Sequence, residues 1–253
     1  MNSHPHSNRD IRDEIRDYWS DRAATFDNDP GHKIEDGAEM AAWEALFRKH
    51  LGPARGRRLL DLASGTGEIS RLCKGLGFEV TGLDWAEPML ERARTKLPDV
   101  TFLQADAERT MLPSGSMDVI VTRHLVWTLV DPASAYAEWY RVLAPGGTLL
   151  LVDGDFVTKG LLARFLLRGR TVDRGRMDRH QRILQRVHFS QGARASSVSD
   201  LLAQAGFTDL RTDKRLGRIH RAQRSTLGWR KSLLRLSEHR YLIRATKPEG
   251  IEP

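Results

Sequence analysis

Leu59-Leu-Asp-Leu-Ala-Ser-Gly-Thr-Gly67 is the stretch from which the fold can be read. It opens with a short apolar run that suits a buried strand. It closes in a turn of small residues, and from Glu68 the apolar positions return at helical spacing. A strand, a glycine turn and a helix in that order begin a βα unit, and the turn then lies where parallel strands open a ligand crevice. The loop alone admits two readings, a plain turn or a place where a ligand meets bare backbone. Asp84 bears on the choice: it ends the next apolar run 17 residues beyond Gly67, close to the spacing at which an acid meets ribose hydroxyls.

Outward from this loop, short apolar runs alternate with helix-period segments, the pattern of repeated βα units and a parallel sheet. Strands are predicted near 58–62, 78–83, 100–103, 117–122 and 148–153, with helices near 68–76, 86–97 and 132–144. Pro145-Gly146-Gly147 predicts a tight turn before the fifth strand. Upstream, amphipathic helices are predicted over 11–24 and 37–51. Beyond Asp153 the alternation stops, and an arginine-rich stretch places Leu161, Leu162, Phe165 and Leu166 at helical spacing, as in a cap over the sheet. A helix near 196–206 and strands near 208–214 and 239–246 complete the chain. The expected fold is α/β: a Rossmann-like, seven-stranded, mostly parallel sheet with helices on both faces. Residues 1–53 would form an N-terminal helical lid, 54–153 the ligand-binding core, 154–195 a helical cap insertion and 196–253 the rest of the core sheet.

The 253 residues, 40% hydrophobic, are enough for one large core. The N-terminus lacks the apolar stretch of a signal peptide, and no run approaches the roughly 18 apolar residues of a membrane span, so a soluble, cytoplasmic protein without a membrane partner is expected. The single cysteine, Cys73, excludes an internal disulfide and a cysteine-rich zinc site; no metal is expected. The net charge of +7 raises a nucleic-acid partner. Much of the excess lies in two stretches, 164–194 and 214–244, the first with nine arginines against Asp173 and Asp178. An acidic substrate or a solvated helix face accounts for it as well, and a nucleic-acid partner is disfavoured.

Dinucleotides and S-adenosylmethionine share the loop arrangement, and the third glycine separates them. In the dinucleotide fingerprint it permits close helix packing beside a pyrophosphate; here the corresponding residue is Ser70. Glu68 at the helix start would repel a phosphate but tolerate a zwitterionic amino acid. Together with these residues, the chain over about 58–153 resembles the class I S-adenosylmethionine-dependent methyltransferases, especially the small-molecule branch called type 11. Leu59 to Gly67 resembles the first motif, Val80-Thr-Gly-Leu-Asp84 the second, Gln104-Ala-Asp-Ala-Glu108 the third, and Leu143-Ala-Pro-Gly-Gly147 the turn before strand five. The resemblance implies S-adenosylmethionine as cofactor and S-adenosylhomocysteine as product. It places Asp61, Ala63, Ser64, Gly65 and Gly67 around the cofactor, Asp84 on the ribose diol, Asp106 on the adenine amino group and the Ala107 amide on the ring. Met89 and Trp85 would pack on the adenine. The family's first loop glycine is Ala63 here, which a negative φ would accommodate.

Methyl transfer from a sulfonium needs alignment, desolvation and sometimes removal of a proton. Residues at the carboxyl end of strand four, Arg123-His-Leu-Val-Trp127, line the reaction centre in relatives, which implies a backbone contact near Arg123. His124 is the leading candidate base because imidazole titrates near neutrality, with His180 and His188 as further candidates; each can equally serve as a hydrogen-bonding structural residue. Trp127 is a candidate wall for an aromatic substrate. Tyr18-Trp-Ser-Asp-Arg-Ala-Ala-Thr-Phe-Asp27 resembles the family's pre-domain helix, which implies that Tyr18, Trp19 and Arg22 close the site, with Arg22 near the cofactor carboxylate. His32 could face the substrate pocket. The leading function is methylation of N, O or S of a small aromatic or acidic metabolite. The alternatives are a nucleic-acid (RNA) methyltransferase, which the absence of an Asn/Asp-Pro-Pro-aromatic stretch after strand four disfavours, and a non-catalytic cofactor-binding regulator.

Overall fold

Strand β1 (Arg58–Leu62) lies in the interior of a seven-stranded sheet, third from one edge, in the computed structural model, which describes residues 8–29, 31–155, 174–223 and 239–250. From β1 the chain runs through α3 (Glu68–Gly75), β2 (Glu79–Asp84), α4 (Glu87–Lys96) and β3 (Thr101–Gln104), each strand parallel to the last. It then crosses to the other side of β1 with β4 (Met117–Arg123), α5 (Pro132–Val142) and β5 (Leu143–Asp155). After α6 (Arg174–Arg186) and α7 (Ala195–Gln204) come β6 (Thr208–Asp213), a short α8 (Gly217–Ala222) and β7 (His239–Thr246). The order is β3-β2-β1-β4-β5-β7-β6, with β7 antiparallel to both neighbours. The direction of winding reverses between β1 and β4, and such a reversal opens a crevice at the strands' carboxyl ends.

The central strands are mainly apolar because both faces are covered, with charged residues such as Asp61, Arg123 and Asp153 towards their carboxyl ends. Leu60, Leu62, Ile120, Leu149, Leu151 and Ile243 pack on one face with Tyr136 and Trp139 of α5 and Leu202 of α7. The alternate residues Leu59, Val119, Val121, Leu150, Val152 and Leu242 pack on the other with Leu72 of α3 and with Trp43 and Phe47 of α2 (Ala38–Leu51).

Helix α1 (Asn8–Arg22) lies apart from both layers. Its Ile11, Ile15 and Tyr18 pack on Ile183 of α6 and on Val187 just beyond it. Arg179 pairs with Asp21 at 2.6 Å and Arg186 with Glu14 at 2.5 Å. Two arginines of the basic stretch therefore balance acids of α1. Arg164, Arg168 and Arg170, with Leu161, Leu162, Phe165 and Leu166, lie outside the described residues.

Two local expectations are corrected. Pro145-Gly146-Gly147 is not a turn ahead of the fifth strand but an irregularity inside β5, where the pairing jumps from Met117–Leu143 to Val119–Thr148. Gly147 has to be glycine there, since a Cβ would stand 2.7 Å from the Ala144 carbonyl. Ala63 has φ of 59°, in the left-handed region that costs an L-residue about 1 kcal/mol or more. Ala63→Gly removes that strain at the expense of a freer unfolded chain. A gain of at most about 1 kcal/mol in urea-denaturation stability is therefore expected; a loss of that size would contradict the assigned strain.

Candidate functional site

At the switch point a cavity of about 640 Å³ opens. The glycine loop forms its floor. Gly67 caps α3 from the left-handed region at φ 86°, facing Ala93 and Leu97 instead of the cavity. Ala63, Ser64 and Gly65 do line it, and Phe26 lies against Gly65, 3.7 Å from where a Cβ would stand. The missing third glycine has a structural counterpart: the buried Ser70 hydroxyl donates to Asp61 Oδ2 at 2.6 Å. Burial raises the Asp61 carboxyl to about 7. Glu68 does not face the cavity. It accepts from Lys96 at 2.9 Å, Ile34 N at 3.0 Å and Arg71 at 3.1 Å, so its role is to fasten the segment after α1 to α3, and the charge argument made from it on ligand choice falls away.

Asp84 ends β2 at the cavity wall, accepting from Gly65 N at 2.8 Å and Ala86 N at 2.9 Å. Burial raises its pKa while the backbone N–H groups of Ala86, Gly65 and Trp85 oppose the rise. Trp85 and Met89 line the same side. Asp106 and Ala107 line it after β3. The Asp106 carboxylate takes Arg12 at 2.7 Å and Glu108 N at 2.9 Å, and the Ala107 carbonyl takes Trp139 Nε1 at 2.8 Å. Each Asp106 oxygen keeps a second lone pair for another donor.

The opposite wall is the segment after β4. Asp153 in β5 accepts from Val126 N at 2.7 Å and Gly154 N at 2.8 Å, and burial raises its carboxyl to about 7. That anchor holds Arg123, His124 and Trp127 at the cavity, with His124 at φ 64°. Trp127 stands 5.2 Å from the His180 ring and 6.0 Å from Trp19. Tyr18 does not line the cavity: it lies behind Trp19, 5% exposed, and accepts from Arg22. His188 is exposed and outside the lining, because the chain has turned beyond α6 before reaching it.

Several lining residues escaped the sequence reading. Arg12 and Glu108 pair with each other, and Glu108 also accepts from Val130 N at 2.6 Å. Phe26 stood inside the Tyr18–Asp27 stretch without being singled out, and Arg240 carried no motif. Glu108 stood inside the third motif, so its charge was visible, but its partners lie far along the chain.

His32 lines the cavity with a defined tautomer. Its Nδ1 is 3.0 Å from the Phe26 carbonyl, an acceptor only, so Nδ1 carries the proton and Nε2 the lone pair. The ring stacks on Phe26 at 4.1 Å, and Arg123 donates to the His32 carbonyl. Burial, reinforced by the charges of Arg123 and Arg22, lowers its pKa from 6.5 to about 4. An unfolded histidine takes up its proton near 6.5, the folded one only near 4. Stability should thus be lost as pH falls from 6.5 towards 4, on the order of 3 kcal/mol in all. His32→Gln should flatten this acid limb in urea melts between pH 7 and 4.5; an unchanged limb would contradict the shift.

Residues 60–151 match the family described as "Methyltransferase domain". A demethylmenaquinone methyltransferase of Thermus thermophilus is 41% identical over 110 residues, 41% of this chain and 50% of that protein. One from Renibacterium salmoninarum is 27% identical over 198 residues, 76% of this chain and 81% of that protein. Among solved structures, Haemonchus contortus phosphoethanolamine N-methyltransferase 2 in complex with S-adenosyl-L-methionine aligns with a TM-score of 0.68 at 17% identity, over 98% of this chain and 61% of that one. The chain thus spans half the length of the Thermus relative and about three fifths of the nematode enzyme. No helix among the described residues is long and apolar enough to cross a membrane.

Proposed function

We propose, from the premise that this chain carries a class I S-adenosylmethionine-dependent methyltransferase domain, that it is a cytoplasmic enzyme transferring the methyl group of S-adenosylmethionine to N, O or S of a small aromatic or acidic metabolite. The carrying observation is that the glycine loop, Asp84 and the Asp106–Ala107 turn all open on one cavity of about 640 Å³. The buried Ser64 Oγ in its wall has no partner among the described residues, as suits a polar ligand. The relatives reported above are named for an aromatic acceptor, demethylmenaquinone, and a phosphate-bearing one, phosphoethanolamine.

Asp84 holds the ribose diol with the lone pairs that its two backbone donors leave. Asp106 and the Ala107 amide read the adenine edge, with Trp85 and Met89 against its faces. Asp61 and Arg22 take the amino and carboxylate ends. When bound, S-adenosylmethionine supplies an electrophilic methyl group. Trp19, Trp127 and His180 exclude water from it, and desolvation favours a transition state in which charge is lost. His124, His180 and the Nε2 lone pair of His32 are imidazoles in reach of the cavity for a departing proton, the His32 and His124 rings standing 6.5 Å apart.

The test is incubation with methyl-tritiated S-adenosylmethionine, a small-metabolite extract and total RNA, followed by fractionation. Label in the small-molecule fraction is expected. Label confined to RNA, or binding of S-adenosylhomocysteine with no transferred label, would overturn the proposal.

A further inference from the structure

The segment between α1 and α2 is fastened to the core on both sides of His32. Asp27 accepts from Thr66 Oγ1 at 2.6 Å and from Lys96 at 2.7 Å. Ile34 donates its N–H to Glu68 at 3.0 Å, and its carbonyl accepts from Arg71 at 2.6 Å. His32 itself is gripped from two directions. Its N–H donates to the Asp29 carbonyl at 3.2 Å, its carbonyl accepts from Arg123 at the end of β4, and its ring stacks on Phe26, which lies against Gly65. The imidazole is thereby held between the glycine loop and the post-β4 wall, the two surfaces that flank the reacting end in the proposed complex. The Phe26 carbonyl takes Nδ1, so Nε2 is the polar atom of this cavity-lining residue left for a ligand.

The fixed tautomer restricts what Nε2 can meet. With Nδ1–H held by the Phe26 carbonyl, Nε2 accepts a hydrogen bond and has none to donate. The reacting group of the acceptor must therefore bring its own hydrogen. A carboxylate, a thioether or a tertiary amine has none to offer; a hydroxyl has one.

We infer that His32 is a catalytic base whose Nε2 takes the proton of a neutral hydroxyl on the methyl acceptor, so that the product is a methyl ether. This rests on the methyltransferase reading and narrows it. The hydroxyl oxygen forms the new bond to the methyl carbon, the carbon–sulfur bond breaks with its electron pair left on sulfur, and the O–H proton passes to Nε2. The imidazolium then returns that proton to water. Burial, with the charges of Arg123 and Arg22, keeps the ring neutral down to about pH 4, so Nε2 is a ready acceptor at neutrality. Its weak basicity suits this step: an oxygen that gains a methyl group while keeping its hydrogen is a far stronger acid than an imidazolium. An alkylammonium, in contrast, gives up its proton only near pH ~10.

The test uses the whole chain with methyl-tritiated S-adenosylmethionine and the small-metabolite extract. Initial transfer rates are measured for wild type, His32→Asn, His32→Ala and, as control, His188→Asn, an exposed residue outside the cavity. Asparagine keeps an N–H for the Phe26 carbonyl but has no atom in the place of Nε2. Calorimetry gives S-adenosylhomocysteine affinity for each variant, and NMR of the labelled product identifies the methylated atom. A positioned base contributes roughly 10²–10⁴-fold, so transfer at least about a hundredfold slower is expected in His32→Asn and His32→Ala, with affinity within about threefold of wild type. Added imidazole should restore His32→Ala about tenfold or more, His188→Asn should match wild type, and the product should carry a methoxyl group. Transfer by His32→Asn within about threefold of wild type overturns the inference while the methyltransferase reading stands. Equal losses of rate and affinity, a His32→Ala rate that imidazole leaves unchanged, or label on nitrogen, sulfur or carbon overturn it as well. Wild type that binds S-adenosylhomocysteine and transfers no label overturns the methyltransferase reading itself.

Discussion

Asp84→Ala should weaken S-adenosylhomocysteine binding ten- to a hundredfold in calorimetry, about 1–3 kcal/mol. The aspartate acts twice. In the proposed complex it accepts from the ribose hydroxyls, and in the free protein it already accepts from Gly65 N at 2.8 Å and Ala86 N at 2.9 Å. The alanine variant loses the ligand contacts and also leaves two loop amides to find new partners, so the glycine loop loosens. Asp84→Asn keeps one acceptor oxygen and should lose less than Asp84→Ala. Equal affinity in wild type and Asp84→Ala would remove Asp84 from the site.

The second large effect is on Asp153, which no motif marks. Its carboxylate holds the amides of Val126 and Gly154, and those groups fix the wall that carries His124 and Trp127. Asp153→Ala strands two buried donors, each worth about 1–3 kcal/mol, so a stability loss of about 2–4 kcal/mol is expected at pH 5.5. The size depends on pH with a definite sign. The folded pKa of about 7 lies above the ordinary carboxylate value of 3.8, so wild-type stability from this group is full below the unfolded value and is lost as pH rises through 7. The difference between wild type and Asp153→Ala should shrink between pH 5.5 and 8. Urea melts at the two pH values check this, and a difference that grows with pH would contradict the shift. Because the post-β4 wall faces the reacting end, turnover should fall more than S-adenosylhomocysteine affinity.

The two residues show what was legible in the sequence. Asp84 could be found because a parallel sheet fixes the distance between the glycine loop and the end of the next strand, and that geometry is local to one βα unit. The strands could be found because burial on both faces makes each a mainly apolar run, as in Val119 to Val121 and, around Asp61, in Leu59 to Leu62. Asp153 and Glu108 hold amides that lie 27 and 22 residues away, and a pairing of that range leaves no periodic trace. Ala63 was misread because a side chain gives no sign that its backbone will be forced to positive φ. Glu68 was misread because Lys96 and Arg71 reach it only once the helices are packed. His188 was grouped with His180 by residue type, although the chain leaves α6 before it and turns it to the surface. Ser70 was read rightly as a departure from the dinucleotide pattern, yet its bond to Asp61 came only from the fold.

The cavity should take a phosphate-free adenosine ligand carrying an amino acid. Calorimetric titration of the purified chain with S-adenosylhomocysteine, and in parallel with NAD, tests it most directly. One-to-one binding of S-adenosylhomocysteine with micromolar affinity, and no heat from NAD at the same concentrations, is the expected result. Binding of NAD in preference, or no binding of S-adenosylhomocysteine, would contradict it.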